Sequence, residues 1–475
     1  MIARALRMAV LPLVLAGCTV GPKYRRPPAP VPVTSAYKES RALGTWKVAS
    51  PSDAMLRGKW WHIFHEPELN ALEERLNVDN QTIKQAFELY MAARAQIRVA
   101  QAGYWPTVGV APSVTTTSQS SGSGASGGRQ QITTFSAPAE ASWAPDLWGR
   151  VRNTVKQAKY GAQISAADLE SQRLLEQATL ADTYFRIRGQ DALQELLDST
   201  VRVDEQIFNV TRSLYDTGIG TEVAAVQAEQ TLQAARVQAT NVKVLRAQYE
   251  HAIATLLGVP ATDFSIPTRA QLATPPTIPT GTPSQLLERR PDIAAAERAM
   301  AQANAVIGIG YAAYYPTLTL TGSAGVASSA LSSLFTWPSF VWSVGASVSQ
   351  TVFDGGLRRA TVDQFIAQYN ATVAGYRQTV LAAFQQVEDF LSQAALLSEV
   401  IAEEKQNVAL AQKAFELEKS RYETGLDPYL NLMTQQTILL GTQQSLVSFQ
   451  VQEMTAVVLL VQALGGGWDR ADLPK

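Results

Sequence analysis

Apolar residues follow a helical spacing over two long stretches of this chain, one in each half. Neither Leu147–Tyr215 nor Gly356–Tyr422 contains proline, so each stretch predicts an uninterrupted helix. With about 70 residues at 1.5 Å of rise per residue, each helix would be about 100 Å long. Large apolar residues recur at every seventh position near the end of the first stretch, as in Val201, Phe208 and Tyr215. This spacing indicates coiled-coil packing.

Shorter helical stretches precede and follow the long ones. The first runs from about Pro67 to Tyr104, and two others run from about Thr221 to Leu257 and from about Pro428 to Leu464. Gly258 and Gly465 come directly after the last two stretches, where glycine is a typical stop signal. Each half of the chain therefore predicts a long helical hairpin.

Alternating patterns interrupt the helices once in each half. Apolar residues occupy every second position from about Thr107 to Thr115 and from Leu318 to Val326. Return partners follow at Phe135–Trp143 and Trp342–Val352, so the pattern predicts four strands of about ten residues each. An amphipathic sheet of a soluble domain is the alternative, and Pro138 argues against a regular central strand.

The two halves are copies of one another. Tyr215-Asp216-Thr217-Gly218 recurs as Tyr422-Glu423-Thr424-Gly425, with other landmarks repeated in the same order. Such ordered recurrence indicates an internal duplication. The predicted segments are listed here in chain order: a signal peptide at 1–17, an N-terminal tail at 18–66, a first repeat at 67–258, a Pro-rich connector at 259–283, a second repeat at 284–465 and a C-terminal tail at 466–475.

The first residues resemble the signal peptide of a bacterial lipoprotein. Arg4 and Arg7 precede a short apolar run, and Leu15-Ala16-Gly17-Cys18 resembles a lipobox. That resemblance implies cleavage before Cys18 and acylation of this cysteine, while an ordinary signal peptide with a chance cysteine is the alternative. Thr19 follows where a lipoprotein retained in the inner membrane would have Asp, so the resemblance to bacterial lipoproteins implies the outer membrane.

If the strands cross a membrane, the number of strands per chain determines how many chains must assemble. No apolar run after the signal peptide approaches the roughly 18 residues of a membrane-spanning helix, so a spanning segment must consist of strands. Four strands cannot close a barrel, because bacterial single-chain barrels begin at about eight. Three copies give twelve strands and leave room for a channel, so the sequence predicts a homotrimer.

Composition gives little support to catalysis or nucleic-acid binding. The formal net charge is -1, so no field over the whole chain attracts nucleic acid. A single cysteine excludes an intrachain disulfide and a cysteine-based metal cluster. Three histidines form no zinc motif, and no Ser or Cys nucleophile setting is recognisable. We therefore expect no enzyme activity, no catalytic or metal-ligating residue and no cofactor other than the covalent lipid on Cys18.

Several segments together resemble the TolC-like outer-membrane efflux proteins, in particular the lipoprotein branch that includes OprM and NodT. The segments are Gly21–Pro27 after the cysteine, Trp60–Phe64 before the first helix, and Arg290–Ile293 at the opening of the second repeat. The resemblance implies a mainly α-helical chain with a membrane β-barrel part. It also implies a trimer with a 12-stranded barrel in the outer membrane of a Gram-negative bacterium, an α-helical barrel in the periplasm, and an equatorial belt formed by the tails and the connector.

The resemblance also assigns roles to the two hairpin ends. The family's helix tips meet a periplasmic membrane-fusion adaptor, although Gly218 and Gly425 could simply terminate helices. The tip positions that match in this chain are Asp216, Thr217, Gly218, Ile219, Glu423, Thr424, Gly425 and Leu426.

The residues that match the family's periplasmic aperture depart from the family pattern. Relatives commonly carry aspartates on the helix after the second tip, whereas this chain has Asn431 and Thr434 there. Leu430 keeps the apolar constriction. We therefore expect an aperture without an acidic ring.

The function that the resemblance implies is passive export through the outer membrane. The chain would be the channel of a tripartite efflux system, driven by an inner-membrane pump through the adaptor, with drugs, solvents or metabolites as cargo. The alternative is a periplasmic coiled-coil adaptor or scaffold lipoprotein. The four alternating segments favour the channel, because a scaffold has no need of lipid-facing strands.

Overall fold

The computed structural model describes residues 19–28, 38, 58–120, 129–276, 278, 289–468 and 473. The chain divides into two compact units. The strand unit contains the described part of 19–27 together with Tyr90–Ile164 and Ala296–Tyr376. The helical unit contains the described residues of the remaining segments, among them Ser165–Ala295 and Arg377–Lys475.

Helices make up most of the described chain, and their lengths repeat between the two halves. Both long helices have 67 residues, and both helices that follow them have 35 residues. The equal lengths support the internal duplication. The helices are α1 (Pro67–Asp79), α2 (Gln81–Ala102), α3 (Arg150–Asp216), α4 (Glu222–Leu256), α5 (Pro291–Ala312), α6 (Leu357–Glu423) and α7 (Tyr429–Ala463).

One antiparallel sheet forms the centre of the strand unit. In this sheet β3 pairs with both β1 and β2 on one side and with β4 on the other, and β4 pairs with β5. Because β1 and β2 pair with the same side of β3, they fill one strand position together. The described chain therefore has four strand positions, the number predicted. The strands are β1 (Thr107–Val110), β2 (Ser113–Ser120), β3 (Arg129–Trp143), β4 (Thr317–Ser328) and β5 (Phe340–Ser349).

The first predicted helix is wrong in one respect, because it is broken at Asn80. The backbone of Asn80 has a non-helical ψ of 124°, so α1 ends before it and α2 begins after it. Its Oδ1 accepts a hydrogen bond from the Ile83 backbone N–H at 2.8 Å, which caps α2. Its Nδ2 donates to the Leu256 carbonyl at the end of α4, at 2.8 Å. One buried side chain therefore stabilises the ends of two helices.

The first predicted strand is also divided, between Val110 and Ser113. The Ala111 N–H donates to the Pro138 carbonyl at 3.1 Å, so Pro138 turns its carbonyl toward this break. Within one strand residue the nitrogen and the carbonyl point to the same side, and proline nitrogen carries no hydrogen. Pro138 therefore has no N–H to donate to the neighbouring strand, and the break between Val110 and Ser113 lies on that side. The expectation that Pro138 opposes a regular central strand is wrong for its own strand, because β3 runs through Pro138 and pairs on both sides. The interruption falls in the adjacent strand position instead.

Glycine accommodates Pro138 on the other side of β3. Gly325 of β4 pairs with Pro138 in the register of the sheet. A Cβ atom at Gly325 would lie 2.4 Å from the Ala137 carbonyl oxygen and 2.5 Å from the Pro138 Cα, well inside contact distance. The close approach of two backbones therefore requires glycine here.

Aromatic residues before α1 form part of the core of the helical unit. Trp60 is fully buried, and its Nε1 donates to Gln177 Oε1 at 3.1 Å. Phe64 packs on Phe185 with 5.0 Å between the ring centroids. These contacts fix the segment before α1 against α3, because large buried aromatic side chains contribute most to such packing.

An ion network connects α3, α4 and the connector after α4. Arg188 donates to Asp191 at 2.9 Å and to the Pro267 carbonyl at 2.8 Å. Arg246 donates to the other oxygen of Asp191 at 2.6 Å and to the Ile266 carbonyl at 2.7 Å. Buried charges are tolerated when they are paired and hydrogen-bonded in this way. The network fixes the described start of the Pro-rich connector.

Among the described residues, one helix is long and apolar enough to cross a membrane by length and composition, contrary to the expectation from sequence. This helix is α7, and only part of its apolar window is buried. Its C-terminal residues Val458 and Val461 are fully buried in the helical unit. Core helices meet the same criterion, so the composition of α7 reflects its packed end.

Candidate functional site

The first tip connects α3 to α4 through a short exposed turn. Gly218 has a φ of +77°, a left-handed conformation that glycine adopts without strain. Thr221 caps α4, because its side chain accepts a hydrogen bond from the Ala224 N–H at 3.2 Å. The predicted tip residues Asp216, Thr217 and Ile219 are exposed, and Ile219 has 78% of its surface accessible.

The second tip repeats this backbone with different side chains. Gly425 has a φ of +75°, and Leu426 beside it has 70% of its surface accessible. Arg421 at the end of α6 forms an ion pair with Asp427 across the turn. The hydrogen bond from Arg421 lowers the pKa of Asp427 below its usual value. Pro428 occupies the N-cap of α7, where no side chain caps the helix.

The predicted aperture residues share one exposed face at the start of α7. Leu430 has 55% of its surface accessible, and Asn431 and Thr434 are also exposed. Thr434 Oγ1 donates to the Leu430 carbonyl at 2.8 Å, within the helix. The opposite face is buried, where Leu432 and Leu439 join a core cluster. The structure thus brings the three predicted residues together on one face of the helix, and none of the three side chains is charged.

Two tyrosines that sequence analysis did not assign to a site link the hairpins near the tips. The Tyr422 hydroxyl is 2.8 Å from Thr211 Oγ1 on α3, and both residues are buried. The Tyr429 hydroxyl donates to Thr231 Oγ1 on α4 at 3.4 Å. The two tyrosine rings pack edge to face with 5.8 Å between centroids. The second hairpin is therefore attached to the first by polar as well as apolar contacts.

A buried carboxyl group reinforces this attachment. Asp204 of α3 accepts a hydrogen bond from Gln436 Nε2 of α7. The accessible surface is only 3% for Asp204 and 6% for Gln436, and burial raises the pKa of Asp204 to about 7. Gln436 Oε1 is a buried acceptor without a partner. No local motif marks this pair, because its members lie far apart in the sequence.

The sheet of the strand unit has one apolar face and one polar face. Val348 pairs with Leu318, and the alternate residues of β5 on the other face are small and mostly polar. Glu140 lies on the polar face, where its register partners are Gly109 and Ser323. The apolar face contains Phe340, Trp342, Val344, Ala346, Val348, Leu318, Leu320, Ala324, Val326, Trp143, Ala141, Ala139 and Ala137.

Two further predictions concern the lipid anchor and metals. Cys18 lies outside the described residues, so the predicted acylation site has no structural description. Among the residues that the structure describes, no group of His, Cys, Asp and Glu could hold a metal ion.

An antiparallel sheet with one apolar face, together with two copies of a long helical hairpin in the same chain, defines the class of outer-membrane channels with helical hairpins. The chain belongs to the outer membrane efflux protein family, whose model matches residues 72–259 and 282–466.

Curated relatives align over nearly the entire chain. The toluene efflux pump outer membrane protein TtgC of Pseudomonas putida is 30% identical over 470 residues, covering 98% of this chain and 95% of the relative. The cation efflux system protein CusC of Escherichia coli is 27% identical over 468 residues, covering 96% of this chain and 97% of the relative.

Solved structures agree with this assignment. The outer-membrane channel OprN is 28% identical with a TM-score of 0.86, covering 95% of this chain and all of that chain. The open-state MtrE outer membrane channel of Neisseria gonorrhoeae is 26% identical with a TM-score of 0.81, covering 96% of this chain and all of that chain.

Together these similarities confirm three predictions from sequence. The fold is that of the efflux channels, the chain is an outer-membrane component of an efflux system, and its location is the Gram-negative outer membrane with a large periplasmic part. They exclude the alternative of a periplasmic scaffold. The relatives are named as channels and efflux components, not as enzymes.

Proposed function

We propose that three copies of this chain form a closed, lipid-anchored duct that exports small molecules passively from the periplasm. The observation that carries this proposal is the pair of sheet edges in the strand unit. Within the described chain, β5 pairs only with β4, and the β1 and β2 position pairs only with β3. Unpaired strand edges cannot remain in a bilayer, because their backbone groups have no water to bind.

Trimerisation satisfies both edges at once. When β5 of one copy pairs with the β1 and β2 position of the next, four strand positions per chain give a barrel of twelve strands. A barrel of about eight strands is filled by its own side chains, so a dimer would leave no channel. The apolar face then meets lipid, and the polar face with Glu140 lines the lumen.

Two independent attachments hold the duct in the outer membrane under this proposal. The strands supply the first. Acyl chains on Cys18 supply the second, motivated by the lipobox before the described chain. Since each attachment acts alone, Cys18→Ser should weaken anchoring without removing the barrel.

The tips are proposed to contact the hairpins of a membrane-fusion adaptor. Each tip presents a large apolar side chain to solvent, Ile219 in the first and Leu426 in the second. Thr217 and Thr424 in the same turns are polar and exposed, so both turns are accessible to a partner. Through the adaptor, an inner-membrane pump would supply the energy, and the duct itself performs no chemistry.

The aperture is proposed to close without charge. Leu430 would form the constriction, because apolar constrictions close pores by dewetting. Asn431 and Thr434 would add neutral hydrogen bonds in place of an acidic ring. Such an aperture gives cations no binding site, which favours organic cargo. The relative TtgC is named for toluene efflux and the relative CusC for cation efflux, so the proposal of organic cargo rests on the neutral aperture residues of this chain and not on the names of its relatives.

Native mass and conductance test the proposal together. We expect the protein in detergent to have about three times the mass of one mature chain, and the same particles to conduct ions after insertion into bilayers. Photo-cross-linkers placed at Ile219 and Leu426 in cells should capture a periplasmic adaptor. A stable monomer that inserts and conducts would contradict the proposal.

A further inference from the structure

Three helices of the helical unit surround a cavity of about 480 Å³. Its lining comes from α3 between Arg186 and Leu197, from α4 between Gln238 and Tyr249, and from α7 between Gln444 and Gln452. The volume lies within the range of about 300 to 1,000 Å³ that is typical of ligand sites. Because both hairpins of one chain supply these walls, the cavity is a property of the single chain.

Two contacts hold α7 at a fixed distance from the first hairpin beside this cavity. A Cβ atom on Gly189 of α3 would lie well inside contact distance of Val451 Cγ2 of α7, so these two helices approach as closely as glycine permits. Gln444 Nε2 of α7 donates to Gln238 Oε1 of α4 at 3.1 Å. All four residues belong to the lining. The cavity therefore lies between an apolar and a polar contact of the two hairpins.

Side-chain amides supply most of the polar groups in the lining. The hydrogen bond between Gln444 and Gln238 uses one donor and one acceptor, so Gln444 Oε1 and the Gln238 N–H groups are left for a ligand. Gln190 Oε1 is a buried acceptor with no partner among the described residues. Such amides suit a molecule with carbonyl, hydroxyl or amide groups, because each offers both donors and an acceptor. The amides of the lining are Gln190, Gln238, Asn241, Gln444 and Gln452.

Aliphatic side chains form the other part of the lining. Leu197 and Val242 belong both to the lining and to a buried core cluster of the helical unit. Leu193, Val447 and Val451 add to this apolar surface. An apolar wall with a few polar groups is the usual composition of a site for a small organic molecule.

The charge in the lining is balanced within the chain. Among the described residues that line the cavity, Arg186 is the only charged one. Its Nε donates to Asp182 Oδ2 at 2.8 Å, and Asp182 Oδ1 accepts from Thr455 Oγ1 at 2.7 Å. A charged ligand would lose its hydration here without gaining an ion-pair partner, because the local charge is already paired. The lining therefore favours an uncharged ligand.

One wall of the cavity continues the face of α7 on which the proposed aperture lies. Thr434 and Asn431 are followed after two and three heptads by Ser448 and Gln452, and the last two residues line the cavity. Residues seven apart lie on the same face of a coiled-coil helix. At 1.5 Å of rise per residue, Ser448 is about 20 Å from Thr434 along α7. A molecule that has passed the proposed aperture would therefore meet the cavity farther along this face.

We propose that this cavity is a cargo site in the wall of the duct, which binds uncharged organic molecules that combine an apolar body with hydrogen-bonding groups. The inference rests on the proposed function, since the ligand is the exported cargo. Gln238, Gln444 and Gln452 bond its polar groups, and Leu193 and Val447 contact its apolar body. Binding must be weak, because a molecule that passes through a pore has to leave each site again.

Photolabelling of the purified assembly in lipid nanodiscs tests the inference. The probe is benzophenone-4-carboxamide, an uncharged molecule with an aromatic body and an amide, which bonds covalently to nearby C–H groups when it is irradiated. We expect saturable labelling of the lining segments of α3, α4 and α7, found by mass spectrometry of the digested protein. The probe 4-benzoylbenzoate has the same shape and a negative charge, and we expect it to label these segments much less. Equal labelling by both probes, or labelling spread evenly over the helices, would overturn the inference.

Three variants complete the test. Ser448→Trp fills the cavity and should abolish labelling of its lining. Gln452→Leu removes one amide at nearly constant size and should weaken labelling about fivefold. Gln406→Leu makes the same change at an exposed position of α6 outside the lining and should leave labelling unchanged. Full labelling in both lining variants would show that the probe binds elsewhere.

The same preparations separate this inference from the proposed function. Native mass and single-channel conductance report the assembly, and labelling reports the cavity. A trimer that conducts and is not labelled in the lining would overturn the inference alone. A stable monomer that inserts and conducts would contradict the proposed function, whatever its labelling.

Discussion

The two tips of the helical unit have the same backbone and different attachments. Gly218 and Gly425 both turn the chain in the left-handed conformation, after helices of equal length. Tyr422 is buried and bonded to Thr211 of the other hairpin. Its counterpart Tyr215 is only half-buried, and the Arg212 guanidinium lies over its ring at 5.6 Å. The duplication thus preserved the turn, and the side chains around it diverged.

The two tips therefore differ in how the helix after each turn is stabilised. The first tip has a glycine turn and a helix cap, since Thr221 satisfies a backbone donor at the start of α4. The second tip lacks a capping side chain, and it is held instead by Tyr422, Tyr429 and Gln436. We infer that closure of the aperture depends on contacts of the second hairpin, because that hairpin also carries Leu430.

The largest expected effect comes from removing the buried tyrosine of the second tip. Tyr422→Ala should cost about 3–5 kcal/mol of local stability, as for other buried aromatic residues. The same change at half-buried Tyr215 should cost about 1 kcal/mol. Hydrogen exchange of the amides at the start of α7 measures the local opening in both variants. Equal loss of protection would show that the tips are held alike, contrary to the comparison.

A pH dependence should follow from the buried Asp204. Because burial raises its pKa from 3.8 to about 7, the folded tip retains a proton that the unfolded chain has lost above about pH 4. The stability that the neutral acid contributes is complete below pH 3.8 and is lost as the pH rises through 7. The neutral acid also offers a hydroxyl donor near Gln436 Oε1, which has no partner.

We therefore expect the amides of the second tip to be less protected at pH 8 than at pH 6, with each exchange rate compared with that of an unstructured amide at the same pH, and this difference in protection to vanish in Asp204→Asn. Asp198→Asn serves as the control, since Asp198 lies on the same helix and is exposed. Tyr429 is the other titratable group whose charge interacts with Asp204, and burial raises its pKa further above 10. A pH dependence that survives Asp204→Asn would assign the effect to another group.

A smaller loss of local stability is expected from a change at the first tip. Thr221→Ala removes the cap of α4 and should lower the local stability by about 1 kcal/mol, whereas Thr221→Ser should retain it. Amide exchange over the first turn of α4 measures both. No change in Thr221→Ala would mean that the first tip is not held by its cap.

The smallest effect is expected for the exposed ion pair of the second tip. Arg421→Ala should leave the protection of α7 almost unchanged, because exposed pairs contribute little. It should raise the pKa of Asp427 toward its usual range, since the hydrogen bond from Arg421 lowers it. Carboxyl titration of labelled aspartate records this shift. Arg212→Ala serves as the control, because Arg212 forms an exposed ion pair with Asp216 at the first tip, with 3.3 Å between Nε and Oδ1. A large loss of protection would give the ion pair a structural role that its exposure does not support.

Long-range architecture could be predicted from this sequence more completely than local breaks. The two long helices end within one residue of Tyr215 and Tyr422, because each stretch lacks proline and meets glycine. The break at Asn80 was not predicted, since an asparagine inside an apolar helical pattern gives no distinct signal. Its partner Leu256 lies far away in the sequence.

The candidate site could be predicted only in part, for the same reason. Exposed positions such as Leu430 follow from helical spacing and from the resemblance to a family. Buried polar partners such as Asp204 and Gln436 depend on how two hairpins meet, which no pattern within either hairpin contains. The division of the first strand depends on the pairing of Pro138, which is likewise a tertiary property.

Single-channel conductance of the reconstituted trimer shows whether the aperture on the second hairpin is neutral. A divalent or trivalent cation is added on the periplasmic side, in a Glu140→Gln background that removes the charge on the polar face of the strands. We expect little block with the native Asn431 and Thr434, and strong block after Asn431→Asp and Thr434→Asp, because rings of Asp attract cations. Strong block with the native residues that persists after Leu430→Ala would contradict a neutral aperture at Leu430, since charges elsewhere at the tip would then control the pore.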